Sequence, residues 1–306
     1  MAPADPDNLH AAAAKPDTPD TGDTANTDST TDTGSTTNTG STTVTADSQW
    51  QAEILQLAQL VAEARQIVIF TGAGISTESG IPDFRGPAGI WKTMTPINFQ
   101  DFVASESVRR DAWSRKFNGP DLMAQAEPNT GHLAVAALVR RGKVSTVITQ
   151  NVDGLHQRAG VSDAAVIEIH GNANYATCLS CWQRYELAPI KAAFLNDGVI
   201  PYCATCGGII KTATISFGQA MPKAAMARAE QAVLGCDLLL VMGSSLSVYP
   251  AADLPRLAQQ RGARLAIINN EATALDPACE LVMHRPIGRS LSAATALQVA
   301  APRDGY

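Results

Sequence analysis

Five short apolar runs, each broken off by glycine, amide or histidine residues, constrain this 306-residue chain more than any other feature. Ile67–Phe70 runs into Thr71-Gly72-Ala73-Gly74, and Val144–Thr149 into Gln150-Asn151-Val152-Asp153. The "VIEI" run meets His170-Gly171, Asp237–Met242 meets Gly243-Ser244-Ser245, and Arg264–Asn269 closes at Asn269-Asn270-Glu271. Runs with no polar face belong to strands buried on both sides. Helical spacing lies between them. Ile54, Leu57, Leu60, Val61 and Ala64 form one stripe after a capping position at Ser48, and His132–Arg141 and Ala251–Arg261 are also read as helices. Strands alternating with helices predict an α/β fold whose parallel sheet is covered by helices on both faces. In such sheets ligands bind beyond the carboxyl ends of the strands, where these glycines and amides stand.

Two stretches interrupt the alternation and are expected to build a smaller lobe. Residues 86–128 read as irregular to helical, with Trp91 and Trp113, and residues 172–212 hold four of the six cysteines. Cys178-x-x-Cys181 and Cys203-x-x-Cys206 stand 21 residues apart. Each pair can present two thiolates to one tetrahedral zinc, and four thiolates leave no position open for water, so such a metal is structural. Two redox-active dithiol pairs are the alternative. The solitary Cys236 and Cys279 read as small buried hydrophobes.

Residues 1–47 contain eight Asp, thirteen Thr, one Lys and no aromatic side chain. A segment so poor in apolar surface cannot offset its ordering entropy, so an acidic, Thr-rich disordered tail is expected there. The tail carries 1 − 8 = −7 of the formal net charge of −6, leaving +1 for residues 48–306. A near-neutral body does not track polyphosphate, and no direct nucleic-acid binding is expected. With no apolar run of about 18 residues and no secretory leader, no membrane span is expected and the location is read as cytoplasmic.

Gly72-x-Gly74 opens a dinucleotide fingerprint, but Thr77 stands where the third glycine belongs. A tight turn explains it equally well on its own. Placement after a buried strand favours phosphate binding, through N–H groups at the start of a following helix. "GIPDFR" (Gly80–Arg85) sets opposite charges and a large apolar ring on one loop, and a salt-bridged surface loop is its plain alternative. "QNVDGLH" (Gln150–His156) places amides and a carboxylate where core packing asks for none. His170 ends a strand on the same rim, and Gly171 is expected to leave room for a ligand.

With "GAGIS", "GIPDFR", "TQNVDGLH", His170-Gly171, both CxxC pairs, "SFG", "GSSL" and "VYPAA" in this order, the chain resembles the sirtuin family, the NAD-dependent protein deacylases, over roughly residues 50–290. The resemblance implies a Rossmann-like large lobe (about 48–85, 129–171 and 213–306) and a small zinc lobe (about 86–128 and 172–212). NAD and an acylated lysine of a protein or peptide substrate would meet between them. Gly72, Ala73, Gly74, Ser76, Gly243, Ser244 and Ser245 are implied to line the pyrophosphate and adjoining ribose. Phe84 and Arg85 would cover the nicotinamide ribose. Gln150, Asn151, Val152 and Asp153 would hold that ribose and the carboxamide, with Asn269, Asn270 and Glu271 at the adenosine. His170 is implied as general base, with Asn151 and Asp153 as catalytic partners. NAD is then a consumed co-substrate. The acyl oxygen displaces nicotinamide, His170 draws a proton from the ribose hydroxyls, and the acyl group ends on ADP-ribose.

Two segments depart from the family pattern. Thr212-Ala213-Thr214-Ile215-Ser216-Phe217-Gly218-Gln219 replaces a stretch that begins Pro-Asp and ends Phe-Gly-Glu in many sirtuins, where the substrate peptide pairs. Ala112-Trp113-Ser114-Arg115 stands where desuccinylating relatives carry Tyr-x-x-Arg, so Arg115 matches and Ala112 does not. A mono-ADP-ribosyltransferase on the same fold shares the first chemical step and is the alternative activity. A non-catalytic module is disfavoured by the presence of His170, Asn151 and Asp153, and a hydride-transferring dehydrogenase by the missing third glycine.

Overall fold

The computed structural model describes residues 46–86, 89–119 and 122–300. The disorder expected for residues 1–47 therefore lies outside the described residues, except that Ala46 and Asp47 form the first turn of the helix Ala46–Glu63. Strands β1 (Ile67–Thr71), β2 (Val144–Thr149), β3 (Val166–Glu168), β7 (Leu238–Met242), β8 (Arg264–Ile268) and β9 (Leu281–Met283) make one sheet. Its order is β3-β2-β1-β7-β8-β9, and every pairing is parallel. A second sheet of antiparallel strands, β4 (Gly171–Cys178), β5 (Arg184–Glu186) and β6 (Ile210–Thr214), has the order β5-β4-β6.

Alternation along each parallel strand explains why the runs carry no polar face. Ile67, Ile69, Leu238, Leu240 and Ile268 point to one side, where Leu57 and Val61 of the first helix, Leu138 of the helix Thr130–Arg140 and Leu291 of the helix Ile287–Ala300 cover them. Val68, Phe70, Leu239, Val241 and Ile267 point to the other, against Ala229 and Val233 of the helix Lys223–Gly235 and Leu254 and Ala258 of the helix Asp253–Gln260. Each fully buried Leu or Ile contributes about 1.5–3 kcal/mol, so both layers are needed to retain the sheet.

The chain leaves β1 toward β2 and β3 on one side and later returns to β7, β8 and β9 on the other. The order reverses between β1 and β7, which opens a crevice at their carboxyl ends. The three-stranded sheet overruns the expected 172–212 insertion at both ends, starting at Gly171 and closing at Thr214. Its own core is Trp113, Phe117, Ile190, Phe194, Ile200 and Ile210.

Candidate active site

A cavity of about 580 Å³ lies at the reversal point and reaches the second sheet. Fifteen of the expected residues line it: Gly72, Ala73 and Gly74 after β1; Phe84 and Arg85; Gln150, Asn151 and Val152 after β2; His170 after β3; Gly243, Ser244 and Ser245 after β7; and Asn269, Asn270 and Glu271 after β8.

The glycines stand there for a reason other than the one read from sequence. A 3-10 turn, Ala73–Ser79, follows β1 where a helix was expected. The Gly72 and Gly74 N–H groups donate to Met242 and Gly243 carbonyls at 3.0 and 2.8 Å, so they are already occupied. A Cβ on Gly72 would sit 2.6 Å from the Gly243 carbonyl oxygen, and one on Gly74 2.6 Å from the Gly243 Cα. These glycines let the β1 and β7 loops touch and so shape the cavity floor. Gly171 is corrected in the same way. Its φ is +75°, and a Cβ there would lie 1.9 Å from the Ala213 carbonyl oxygen, so the room it leaves is filled by β6 rather than by a ligand.

His170 is held by Nδ1, which lies 3.0 Å from the Gln150 carbonyl oxygen. A carbonyl only accepts, so Nδ1 carries the proton and Nε2 is the basic nitrogen. Burial pulls this imidazole below its ordinary 6.5, against the opposing pull of the Gln150 carbonyl, so the neutral base form prevails at pH 7. The Gln150 amide donates to Ser244 Oγ at 2.8 Å, tying the β2 and β7 loops together.

Asp83 and Arg85 do not pair with each other. Asp83 accepts the Gly86 N–H at 2.9 Å, and the Arg85 guanidinium stacks 4.3 Å from the Trp91 ring centre. Trp91 also meets Phe84 at 5.0 Å and Phe217 at 5.2 Å, so the loop that carries Phe84 leans on the segment after β6.

Two of the expected residues, Ser76 and Asp153, do not line the cavity. They are 1% and 5% exposed and stand behind Asn151. Ser76 Oγ donates to Asp153 Oδ2 at 2.8 Å and accepts from Asn151 Nδ2 at 3.1 Å. Two buried histidines complete this layer. His132 Nε2 is 3.5 Å from Ser76 Oγ, and His156 Nε2 is 3.0 Å from Thr71 Oγ1. The two rings meet edge to face at 5.1 Å.

Burial drives His132 down to about 4, against the attraction of Asp153. Burial, then repulsion from His132, drives His156 down to about 3. Between pH 6.5 and these values the unfolded chain binds protons that the fold refuses. Stability is therefore complete above pH 6.5 and falls by several kcal/mol in all as the pH drops through that window. Thermal denaturation followed from pH 7 downward should show the loss, and a melting temperature constant down to about pH 4.5 would contradict it.

The four zinc-site cysteines converge. All their sulfurs lie within 4.8 Å of one another, with Cys178–Cys206 and Cys181–Cys203 both at 3.5 Å. A tetrahedral site with Zn–S bonds of about 2.3 Å needs sulfurs about 3.8 Å apart, so the cluster fits one zinc. Each CxxC closes with the same backbone bond, Trp182 N–H to the Cys178 carbonyl at 3.1 Å and Gly207 N–H to the Cys203 carbonyl at 2.8 Å. The residue after each pair, Trp182 or Gly207, is left-handed at φ 63° and 71°. Single clustering of the four thiols favours the structural metal over two separate dithiols.

The far wall was not among the contacts expected from sequence. Phe102, Ala112, Trp113, Lys116 and Met123 from the 86–128 stretch, with Tyr249 and Pro250, complete the cavity. Tyr249 and Pro250 belong to the VYPAA motif and Ala112 and Trp113 to the stretch set against Tyr-x-x-Arg, but only tertiary packing brings these residues, with Phe102, Lys116 and Met123, to the strand ends. Arg115 is not among them. Its guanidinium is 2.7 Å from Asp111 and donates to the Thr95 carbonyl at 2.9 Å.

The Sir2 family profile matches residues 72–250. The chain is 49% identical over 236 residues to an NAD-dependent protein deacetylase of Rhodopseudomonas palustris, covering 77% of this chain and 93% of that one. It is 50% identical over 244 residues to NAD-dependent protein deacetylase 1 of Bradyrhizobium diazoefficiens, covering 80% and 96%. Among solved structures, a Sir2–p53 peptide–NAD+ complex superposes with a TM-score of 0.72 at 33% identity, covering 80% of this chain and 98% of that one.

Proposed function

This chain belongs to the Sir2 family, and from that membership we infer an NAD-dependent protein-lysine deacylase whose cavity holds NAD and an acylated lysine side chain together. The observation that carries the site assignment is the meeting of the glycine loops, the Asn151 amide and the basic edge of His170 on one cavity. NAD is consumed as a co-substrate. The loops after β1 and β7 take its pyrophosphate, and Asn269, Asn270 and Glu271 border the adenosine. Phe84 and Arg85 close over the nicotinamide ribose, and Gln150, Asn151 and Val152 line that ribose and the carboxamide.

The acyl oxygen attacks the anomeric carbon and nicotinamide leaves with the bonding pair. His170 Nε2 then takes the proton of a ribose hydroxyl, whose oxygen attacks the acyl carbon. Water completes release of free lysine and acyl-ADP-ribose. Zinc bound by the four cysteines supplies no chemistry to this step and holds the second sheet in register. Asp153 accepts from Ser76, which in turn holds the Asn151 amide.

The test is incubation with NAD and a panel of acyl-lysine peptides, with products identified by mass. Equimolar nicotinamide, deacylated peptide and acyl-ADP-ribose are expected. ADP-ribosylated protein without deacylated peptide would replace this reading with the mono-ADP-ribosyltransferase.

Arg115 is committed to Asp111 and Thr95, so Arg115→Ala should change the ratio of succinyl to acetyl removal by less than about twofold, as for other exposed ion pairs. A selective loss of desuccinylation would contradict that. Because the sheet, cavity and cysteine cluster lie within residues 46–300, removing residues 1–45 should leave peptide turnover within about twofold. A tenfold fall would show that those residues take part. Among the described residues no helix is long and apolar enough to cross a membrane. A cytoplasmic location accords with six free thiols, four of which a metal requires reduced. Protein or peptide partners, not nucleic acid, accord with the near-neutral body.

A further inference from the structure

His284 follows β9, belongs to none of the rim motifs and does not line the cavity. Its ring nevertheless bridges two loops. Nδ1 lies 2.9 Å from the Asn269 carbonyl oxygen, and Nε2 lies 3.4 Å from Asp276 Oδ2. A carbonyl only accepts, so Nδ1 carries a proton and donates it to Asn269. Asp276 is fixed on its own side, since its Oδ1 accepts the Thr273 hydroxyl at 2.6 Å. Asn269, Asn270 and Glu271 do line the cavity.

The bond to Asn269 sets the direction of the next peptide. The Asn269 N–H donates to the Met283 carbonyl at 3.1 Å, so both backbone polar groups of Asn269 face the end of β9. Across a planar trans peptide the carbonyl and the following N–H point in opposite directions. The Asn270 N–H therefore points away from β9. The sheet order β7-β8-β9 puts β7 on that side, and Gly243, Ser244 and Ser245 after β7 line the cavity. Ile268 already faces the same way, its carbonyl accepting the Gly243 N–H at 3.0 Å. The Asn270 N–H has no partner among the described residues, which leaves a free backbone donor on the cavity. The Asn269 amide nitrogen donates to the Glu271 carbonyl at 2.7 Å, so the three residues are tied into one unit.

We propose that His284 is a positioning residue for the adenosine end of the cavity: by holding the Asn269 carbonyl against β9 it aims the Asn270 N–H at an acceptor atom of the bound adenosine. This rests on the deacylase reading, in which these residues border the adenosine. Without the imidazole, Asn269 keeps one backbone bond to β9, and the peptide beyond it can turn the donor away from the cavity.

Two substitutions separate the two ends of the ring. His284→Asn retains an N–H donor where Nδ1 stands and loses the reach to Asp276. His284→Gln reaches toward Asp276 and loses the bond to Asn269. Positioning predicts that His284→Gln raises KM for NAD and Kd for ADP-ribose about fivefold each, the scale of one neutral hydrogen bond. Its kcat at saturating NAD and its KM for an acetyl-lysine peptide should stay within about twofold of wild type. His284→Asn should keep all four quantities within about twofold. A purely structural bridge predicts instead a lower melting temperature with unchanged ADP-ribose affinity. Binding of ADP-ribose needs no turnover, so the two readings fail separately. A wild type that binds ADP-ribose but does not deacylate overturns the reaction, and the Kd series still decides the proposal. A wild type that binds no ADP-ribose overturns both. Unchanged affinities in His284→Gln, an equal loss in His284→Asn, or a fall in kcat in place of the rise in KM would overturn the proposal alone.

Discussion

His170→Ala should slow deacylation by at least about 100-fold, the lower range of what a positioned base contributes. The reason is geometric. The Gln150 carbonyl holds the Nδ1 proton, so the imidazole offers Nε2 to the cavity, and burial keeps it neutral at pH 7. NAD affinity should weaken far less, because the loops after β1, β7 and β8 lie elsewhere on the cavity. Nicotinamide exchange should persist in part, since nicotinamide leaves before a base is needed. The pH dependence follows from the same burial: the acid limb of kcat/KM should fall below 6.5, the ordinary value for histidine. A purely packing role predicts instead that activity falls only in step with folded protein. Melting temperature, NAD affinity and deacylation measured on one preparation decide the matter. A folded, NAD-binding variant with near-normal turnover would remove His170 from the chemistry.

Zinc removal should have the second large effect. The three-stranded sheet is short, and its core cluster includes two of the zinc-site cysteines, Cys178 and Cys203. Structural zinc contributes on the order of 10 kcal/mol in small modules, far more than this lobe can replace from packing. The purified protein should contain one zinc per chain. Chelation should loosen β4 and β6, and activity should go with them, because Thr212, Thr214 and Phe217 wall the cavity from that side. Full turnover and an unchanged melting curve after verified metal loss would sink this.

What could be read from sequence was whatever chemistry leaves no choice. Strands with apolar residues on both faces, such as Leu238–Met242, can only be central, and two CxxC pairs can hold one metal. The rim residues were legible too, since amides and a histidine ending buried strands have no packing purpose. The purpose of the glycines was not legible. Sequence marks a position that lacks a side chain but not what occupies the space, which proved to be Gly243 and Ala213.

Depth was equally hidden. Ser76 and Asp153 belong to the same motifs as Ala73 and Asn151, yet the 3-10 turn after β1 and the bend after β2 carry them behind the cavity wall. A motif records neighbours along the chain, whereas facing in or out depends on dihedral angles set by the packed sheet. The far wall needed more still, because Phe102, Trp113 and Met123 are ordinary apolar residues that become cavity lining only when an insertion folds back over the strand ends. The sequence by itself determined the layered sheet, the metal and the reacting rim. The tertiary structure alone decided which of those polar groups line the cavity and which, like Ser76, are buried beside Asn151, because that division depends on contacts between segments far apart in the chain.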